Sequence, residues 1–91
     1  MVDVREPFEW DDGHIAGAVN VPMGQAVERV GELPAHRPKA VLCAGGLRSS
    51  SVISALLGAG MTGWYNVAGG MREWIKAGYP AVKSGGSKNG A

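Results

Sequence analysis

The chain has 91 residues and a formal net charge of +1, from nine Lys+Arg against eight Asp+Glu. That length supports one core, burying about two-thirds of the extended surface, and the near-neutral balance provides no basic field of the kind that holds nucleic acid. A single cysteine excludes an internal disulfide and any multi-thiolate zinc site, while a hydrophobic fraction of 45% argues against global disorder. Fifteen glycines demand tight turns or a backbone that approaches something closely. Residues 1–6 are charged from the start and carry no apolar signal segment. No run reaches the ~18 apolar residues of a transmembrane helix. The expectations are therefore no nucleic-acid or membrane partner and a reduced, cytoplasmic setting.

Val2-Asp3-Val4 opens as a strand. Pro7 suits the first position of a short helix running through Trp10, which Gly13 ends. Ala18-Val19-Asn20-Val21 is a second extended run, closed by Pro22. Residues 25–33 place Ala26, Val27, Val30 and Leu33 at helical spacing, and Pro34 and Pro38 bracket a loop. Lys39-Ala40-Val41-Leu42-Cys43 is almost wholly apolar, as a strand covered on both faces of a parallel sheet is. Ser49-Ser50-Ser51 suits the cap of a helix with Val52, Ile53, Leu56 and Leu57 on one stripe, stopping within residues 58–60. Trp64-Tyr65-Asn66-Val67 is a further strand, and Gly69-Gly70 leads into a helix holding Met71, Trp74 and Ile75 that Gly78 stops. Strands alternating with helices define an α/β domain with a parallel sheet. Residues 83–91, rich in Gly, Ser and Lys, read as a flexible tail.

The chemistry is concentrated in Cys43-Ala44-Gly45-Gly46-Leu47-Arg48-Ser49, where a buried strand hands over to a helix. Ligands of open α/β sheets bind at that edge. A thiol there faces free backbone N–H groups and the positive end of a helix, both of which favour the thiolate. Gly45 and Gly46 let successive N–H groups point inward as an anion nest, with Gly46 expected in a conformation that a β-carbon opposes. Arg48 is expected beside the loop mouth, attracting anions and lowering the Cys43 pKa. The bland readings are a cysteine that is only a small buried hydrophobe and an Arg48 that pins the helix start by bridging a carboxylate such as Glu73.

This segment resembles the active-site pattern Cys-x-x-Gly-x-Arg-Ser of the rhodanese-like domains. Asp3-Val4-Arg5-Glu6 followed by residues 13–22 resembles that family's first signature, and Asn66-Val67-Ala68-Gly69-Gly70 with Trp74, then Ala77-Gly78-Tyr79-Pro80, resembles its closing segment. The resemblance covers residues 2–82 and implies a three-layer rhodanese-like fold with a parallel sheet flanked by helices, a domain over residues 1–82. It implies a sulfurtransferase in which Cys43 takes sulfur from thiosulfate or a persulfide and passes it to cyanide, glutathione or a thioredoxin-like protein thiol. The persulfide would be held by the loop from Ala44, Gly45 and Gly46 through Leu47 and Arg48, with no metal or organic cofactor. Family members carry a strand and a helix before the Asp-Val-Arg strand, so this N-terminus is short, its first sheet edge is expected to be bare, and the chain is expected to be a minimal variant or part of a larger protein. The form Cys-x-Gly-Gly-x-Arg-Ser-Ser resembles rhodanese modules fused to persulfide dioxygenases, which implies glutathione persulfide as a donor. Only Arg48 brings charge to the loop, so thiosulfate is expected to be a weak substrate.

Other residues invite weaker roles. His14 is expected to hold a turn, His36 to be solvated, and Trp10, Trp64 and Trp74 to be core or rim aromatics. Asp3 and Arg5 are assigned to opposite faces of the first strand, with Asp3 bracing the sheet end. Two other functions compete. A phosphatase or arsenate reductase of the Cys-x5-Arg kind needs a longer loop than the four residues between Cys43 and Arg48. A non-catalytic module that binds a partner needs no thiol, although this chain retains one.

Overall fold

The structure, a computed structural model, describes residues 1–30 and 39–83. The elements in order are β1 (Val2–Asp3), α1 (Pro7–Asp12), β2 (Val19–Asn20), a 3-10 turn (Met23–Gln25) continuing into α2 (Ala26–Val30), β3 (Ala40–Leu42), α3 (Leu47–Gly58), β4 (Tyr65–Asn66) and α4 (Gly70–Lys76). The described strands form a four-stranded sheet in the order β2-β1-β3-β4, and every pairing is parallel. All strands therefore end on the same side, and the loops that follow them share one edge. The expected helix over residues 25–33 is present as far as Val30, and the rest of it, with His36 and residues 84–91 of the expected tail, lies outside the described residues.

Strand periodicity divides the core into two layers. Val2, Val4, Val41 and Cys43 pack with Val21, Ala26, Val52 and Leu56 on one face. Leu42 faces the other way and packs with Ile15 and Met71. A fully buried side chain such as Leu42 or Leu56 contributes about 1.5–3 kcal/mol over its exposed state. The buried stripe of α3 is narrower than expected: Val52 and Leu56 are buried, whereas Leu57 is exposed, as is Ile75 on α4.

Three expectations change. Asp3 and Arg5 share a face of the sheet, because residues two apart on a strand point the same way. Arg5 Nη2 donates to Asp3 Oδ2 at 2.8 Å, and both side chains are buried. The same guanidinium donates to the carbonyls of Glu9 and Gly13, tying α1 to the sheet. Next, β1 is no edge, since it lies between β2 and β3. Finally, the serines sit inside the first turn of α3 rather than capping it. Gly46 is the N-cap, at φ +105°; the Ser50 hydroxyl donates back to its carbonyl at 2.8 Å, and Ser49 Oγ lies 3.2 Å from the same oxygen.

His14 holds a turn. Its Nδ1 lies 2.8 Å from the Trp10 carbonyl, its ring stacks on Trp10 at 3.6 Å, and its backbone pairs with Val82. Trp64 packs against the first core layer and Trp74 against the second.

Candidate active site

Cys43 follows the last residue of β3 and is buried at the carboxyl edge of the sheet. The two carbonyls at the start of the loop are taken by α4: the Met71 N–H donates to Cys43 O at 2.8 Å and the Arg72 N–H to Ala44 O at 2.9 Å. With those carbonyls committed to α4, the loop presents N–H groups to the sulfur, and the Gly46 N–H donates to Cys43 Sγ at 2.9 Å. α4 comes this close because Gly70 has no side chain. At its φ of +58°, a Cβ would collide with the Cys43 carbonyl oxygen and the Ala44 backbone. Gly46 meets the expectation of a left-handed conformation, the region glycine tolerates without strain.

Ser49 and Asn66 complete the sulfur's surroundings. Ser49 Oγ lies 3.3 Å from Cys43 Sγ and donates to Asn66 Oδ1 at 2.6 Å. Asn66 Nδ2 in turn donates to the Gly46 carbonyl and to Ser50 Oγ. Burial pushes the Cys43 thiol up, but the Ser49 hydroxyl and the backbone N–H groups of Ser49, Gly46 and Gly45 outweigh it and hold the pKa below the usual thiol value. The sequence pattern named the loop but gave no role to Ser49 beyond helix capping, and none to Asn66. The traces of Asn66 were its place at the head of the closing segment Asn66-Val67-Ala68-Gly69-Gly70 and at the end of a strand neighbouring β3, where a side chain meets the same edge.

Arg48 is half-buried, and its two terminal nitrogens are engaged. Nη1 donates to Glu9 Oε1 at 2.7 Å and Nη2 to Glu9 Oε2 at 2.9 Å. The carboxylate partner is Glu9 of α1, not Glu73. Hydrogen bonding to Arg48 is the main cause that lowers the Glu9 pKa to about 2. The same bond raises the Arg48 pKa, with a smaller contribution from the Cys43 charge. By reciprocity that attraction favours the Cys43 thiolate, behind the hydrogen bonds. Leu47, 85% exposed, stands at the rim with its side chain in solvent, while Ala44 and Gly46 are half-buried and Gly45 is exposed. Among the described residues no three His, Cys, Asp or Glu side chains gather in a group that could hold a metal ion.

A parallel α/β domain with one acidified thiol in a glycine loop at its carboxyl edge is built for thiolate chemistry. The chain belongs to the rhodanese-like domain family, whose sequence profile matches residues 1–77. It is 38% identical to the uncharacterized protein YqhL of Bacillus subtilis, over 81% of this chain and 59% of that protein. It is 33% identical to a sulfurtransferase of Allochromatium vinosum, covering 90% of this chain and 77% of the relative. Among solved structures, a rhodanese-related protein from Thermoplasma volcanium superposes with a TM-score of 0.80 at 38% identity, covering 92% of this chain and 84% of that one. The chain spans 59% of YqhL and only 20% of a probable adenylyltransferase/sulfurtransferase, MoeZ, of Mycobacterium tuberculosis, to which it is 35% identical over 84% of its own length.

Proposed function

We propose that this domain is a sulfurtransferase that carries sulfane sulfur on Cys43. The observation that carries the reading is the sulfur of Cys43 held between the Gly46 N–H and the Ser49 hydroxyl, an arrangement that favours an anion on sulfur. The Cys43 thiolate attacks the sulfane sulfur of thiosulfate. A Cys43 S–S bond forms as the bond to the sulfonate sulfur breaks, and sulfite leaves with the electron pair. The terminal sulfur then carries the negative charge as Cys43-S-S⁻. A thiolate or cyanide attacks that sulfur, departs as a persulfide or thiocyanate, and returns Cys43 as thiolate. The cycle is ping-pong and calls on no cofactor.

Donor and acceptor are small sulfur compounds or a protein thiol, in a reducing, cytoplasmic setting that keeps Cys43 from disulfides. Relatives in which this length is a minor part support a role beside further modules. Loop length supports sulfur over phosphate, because four residues between Cys43 and Arg48 make a small bowl.

Intact mass after incubation with thiosulfate and, separately, glutathione persulfide tests the reading. One added sulfur is expected in the parent and none in Cys43→Ser, whose alcohol stays protonated at neutral pH. A parent that gains no sulfur from either donor points instead to a binding module. Turnover of an aryl phosphate without sulfur uptake points to a phosphatase.

A further inference from the structure

Among the described residues, a cation without a side-chain partner reaches the loop from outside it. Arg72 stands in the first turn of α4, its backbone N–H bonded to the Ala44 carbonyl, and its side chain folds back against Gly45. Nη1 lies 3.0 Å, Cζ 3.5 Å and Nη2 3.6 Å from where a Cβ on Gly45 would be. Gly45 does not have a positive φ, so backbone conformation does not demand glycine there; the guanidinium occupies that space. Gly45 is also one of the loop residues whose N–H favours the Cys43 thiolate. Arg72 is exposed and, among the described residues, its side chain has no hydrogen bond or ion pair. Arg48 differs: both of its terminal nitrogens are on Glu9, which offsets its charge. The positive charge of the loop is therefore not confined to Arg48.

We propose that Arg72 is a specificity-determining residue that receives the anionic oxygens of the sulfur donor while Cys43 takes its sulfur. The inference rests on the sulfurtransferase reading. A planar guanidinium whose N–H groups have no partner among the described residues matches the paired oxygens of a sulfonate or carboxylate. The sulfonate of thiosulfate and the carboxylates of glutathione persulfide share that chemistry, and the donor arms of the test separate them.

The test compares alkylation of Cys43 by iodoacetate, an anion, with alkylation by neutral iodoacetamide. Both reagents consume the same thiolate, so the ratio of their rate constants cancels any change in thiolate fraction and reads the local charge. Arg72→Gln is expected to lower the iodoacetate/iodoacetamide ratio about fivefold at low ionic strength, with the difference closing as salt screens the charge. Arg72→Lys retains most of the ratio. Lys39→Gln removes the same charge at the opposite end of β3 and leaves the ratio at the parent value. An Arg72→Gln ratio equal to the parent's overturns the proposal, as does an equal fall with both reagents.

In parallel, Arg72→Gln is expected to raise KM about fivefold, with kcat little changed, for whichever of thiosulfate and glutathione persulfide docks its oxygens there. Unchanged KM for both donors overturns the assignment. Alkylation needs no sulfur transfer. A parent that takes up no sulfur therefore removes the sulfur donor as the ligand, while the ratio independently decides whether Arg72 attracts an anion.

Discussion

The Ser49 hydroxyl has one proton and three acceptors in reach: Asn66 Oδ1 at 2.6 Å, the Gly46 carbonyl at 3.2 Å and Cys43 Sγ at 3.3 Å. While Cys43 is a thiol, it can donate its own proton to Ser49, which then donates to Asn66. Once Cys43 ionises, the hydroxyl gains by turning to the sulfur, because a hydrogen bond to a charged acceptor is the stronger one. Ser49→Ala removes that option and leaves burial, which opposes the thiolate, with fewer groups against it. The Cys43 pKa is expected to rise, shifting the alkylation profile to higher pH and slowing alkylation at neutral pH roughly three- to tenfold. A profile that overlays the parent's would show that the backbone N–H groups and the Arg48 charge set the acidity without the hydroxyl.

Between elements, the link that matters most to the site is Glu9 to Arg48, a bidentate pair joining α1 to the first turn of α3. Glu9 Oε1 also accepts the Glu6 N–H, closing the start of its own helix. The folded pKa of Glu9, about 2, lies below its ordinary 4.5. The pair's stabilisation is therefore fully present above pH 4.5 and is lost as pH falls from there toward 2. Both side chains are partly solvated, so the contribution is about 1 kcal/mol. Glu9→Gln should lower the melting temperature by about 4–8 °C at neutral pH, and should flatten the part of the acid-induced loss that falls in that window. Thermal melts of parent and variant at several pH values check both.

These pairings also mark where the sequence was readable. The order of strands and helices followed from local periodicity, and the nucleophile from four residue types packed into a seven-residue run. Glu9 is 39 residues from Arg48 and Asn66 is 17 from Ser49, and no local pattern joins them before the sheet does. Asp3 and Arg5 are a different matter. The two-residue period of a strand already puts them on one face, and their ion pair was legible without any coordinates.

At the scale of the whole domain, residues 79–83 fasten the end of the described chain back to its first half. The Val82 and His14 backbones exchange two hydrogen bonds of 2.8 Å each, and Trp74 Nε1 donates to the Pro80 carbonyl at 2.8 Å. None of these touches the loop that holds Cys43. A chain ended at Gly78 is expected to lose about 2–3 kcal/mol, at about 1 kcal/mol per hydrogen bond, and on the order of 10–20 °C in melting temperature. Below its own transition it should take sulfur onto Cys43 at close to the parent rate. A truncated domain that melts normally would show those contacts to be idle, and one that folds but reacts far more slowly would show that the segment supports the loop through α4.

The hydrogen bonds from Met71 and Arg72 to the Cys43 and Ala44 carbonyls also set when the loop around the thiol is completed. Synthesis runs from the N-terminus, so the nucleophile emerges from the ribosome ahead of β4, which supplies Asn66, and of α4, which turns the loop carbonyls away. Parallel strands cannot close as local hairpins and must wait for their crossovers. Until Gly70 admits the last described helix, the nascent chain carries Cys43 in a loop whose carbonyls are not yet committed. The loop around the thiol is thus completed only with the last described helix, and a polypeptide stalled or cut before α4 leaves the Cys43 and Ala44 carbonyls without those two donors.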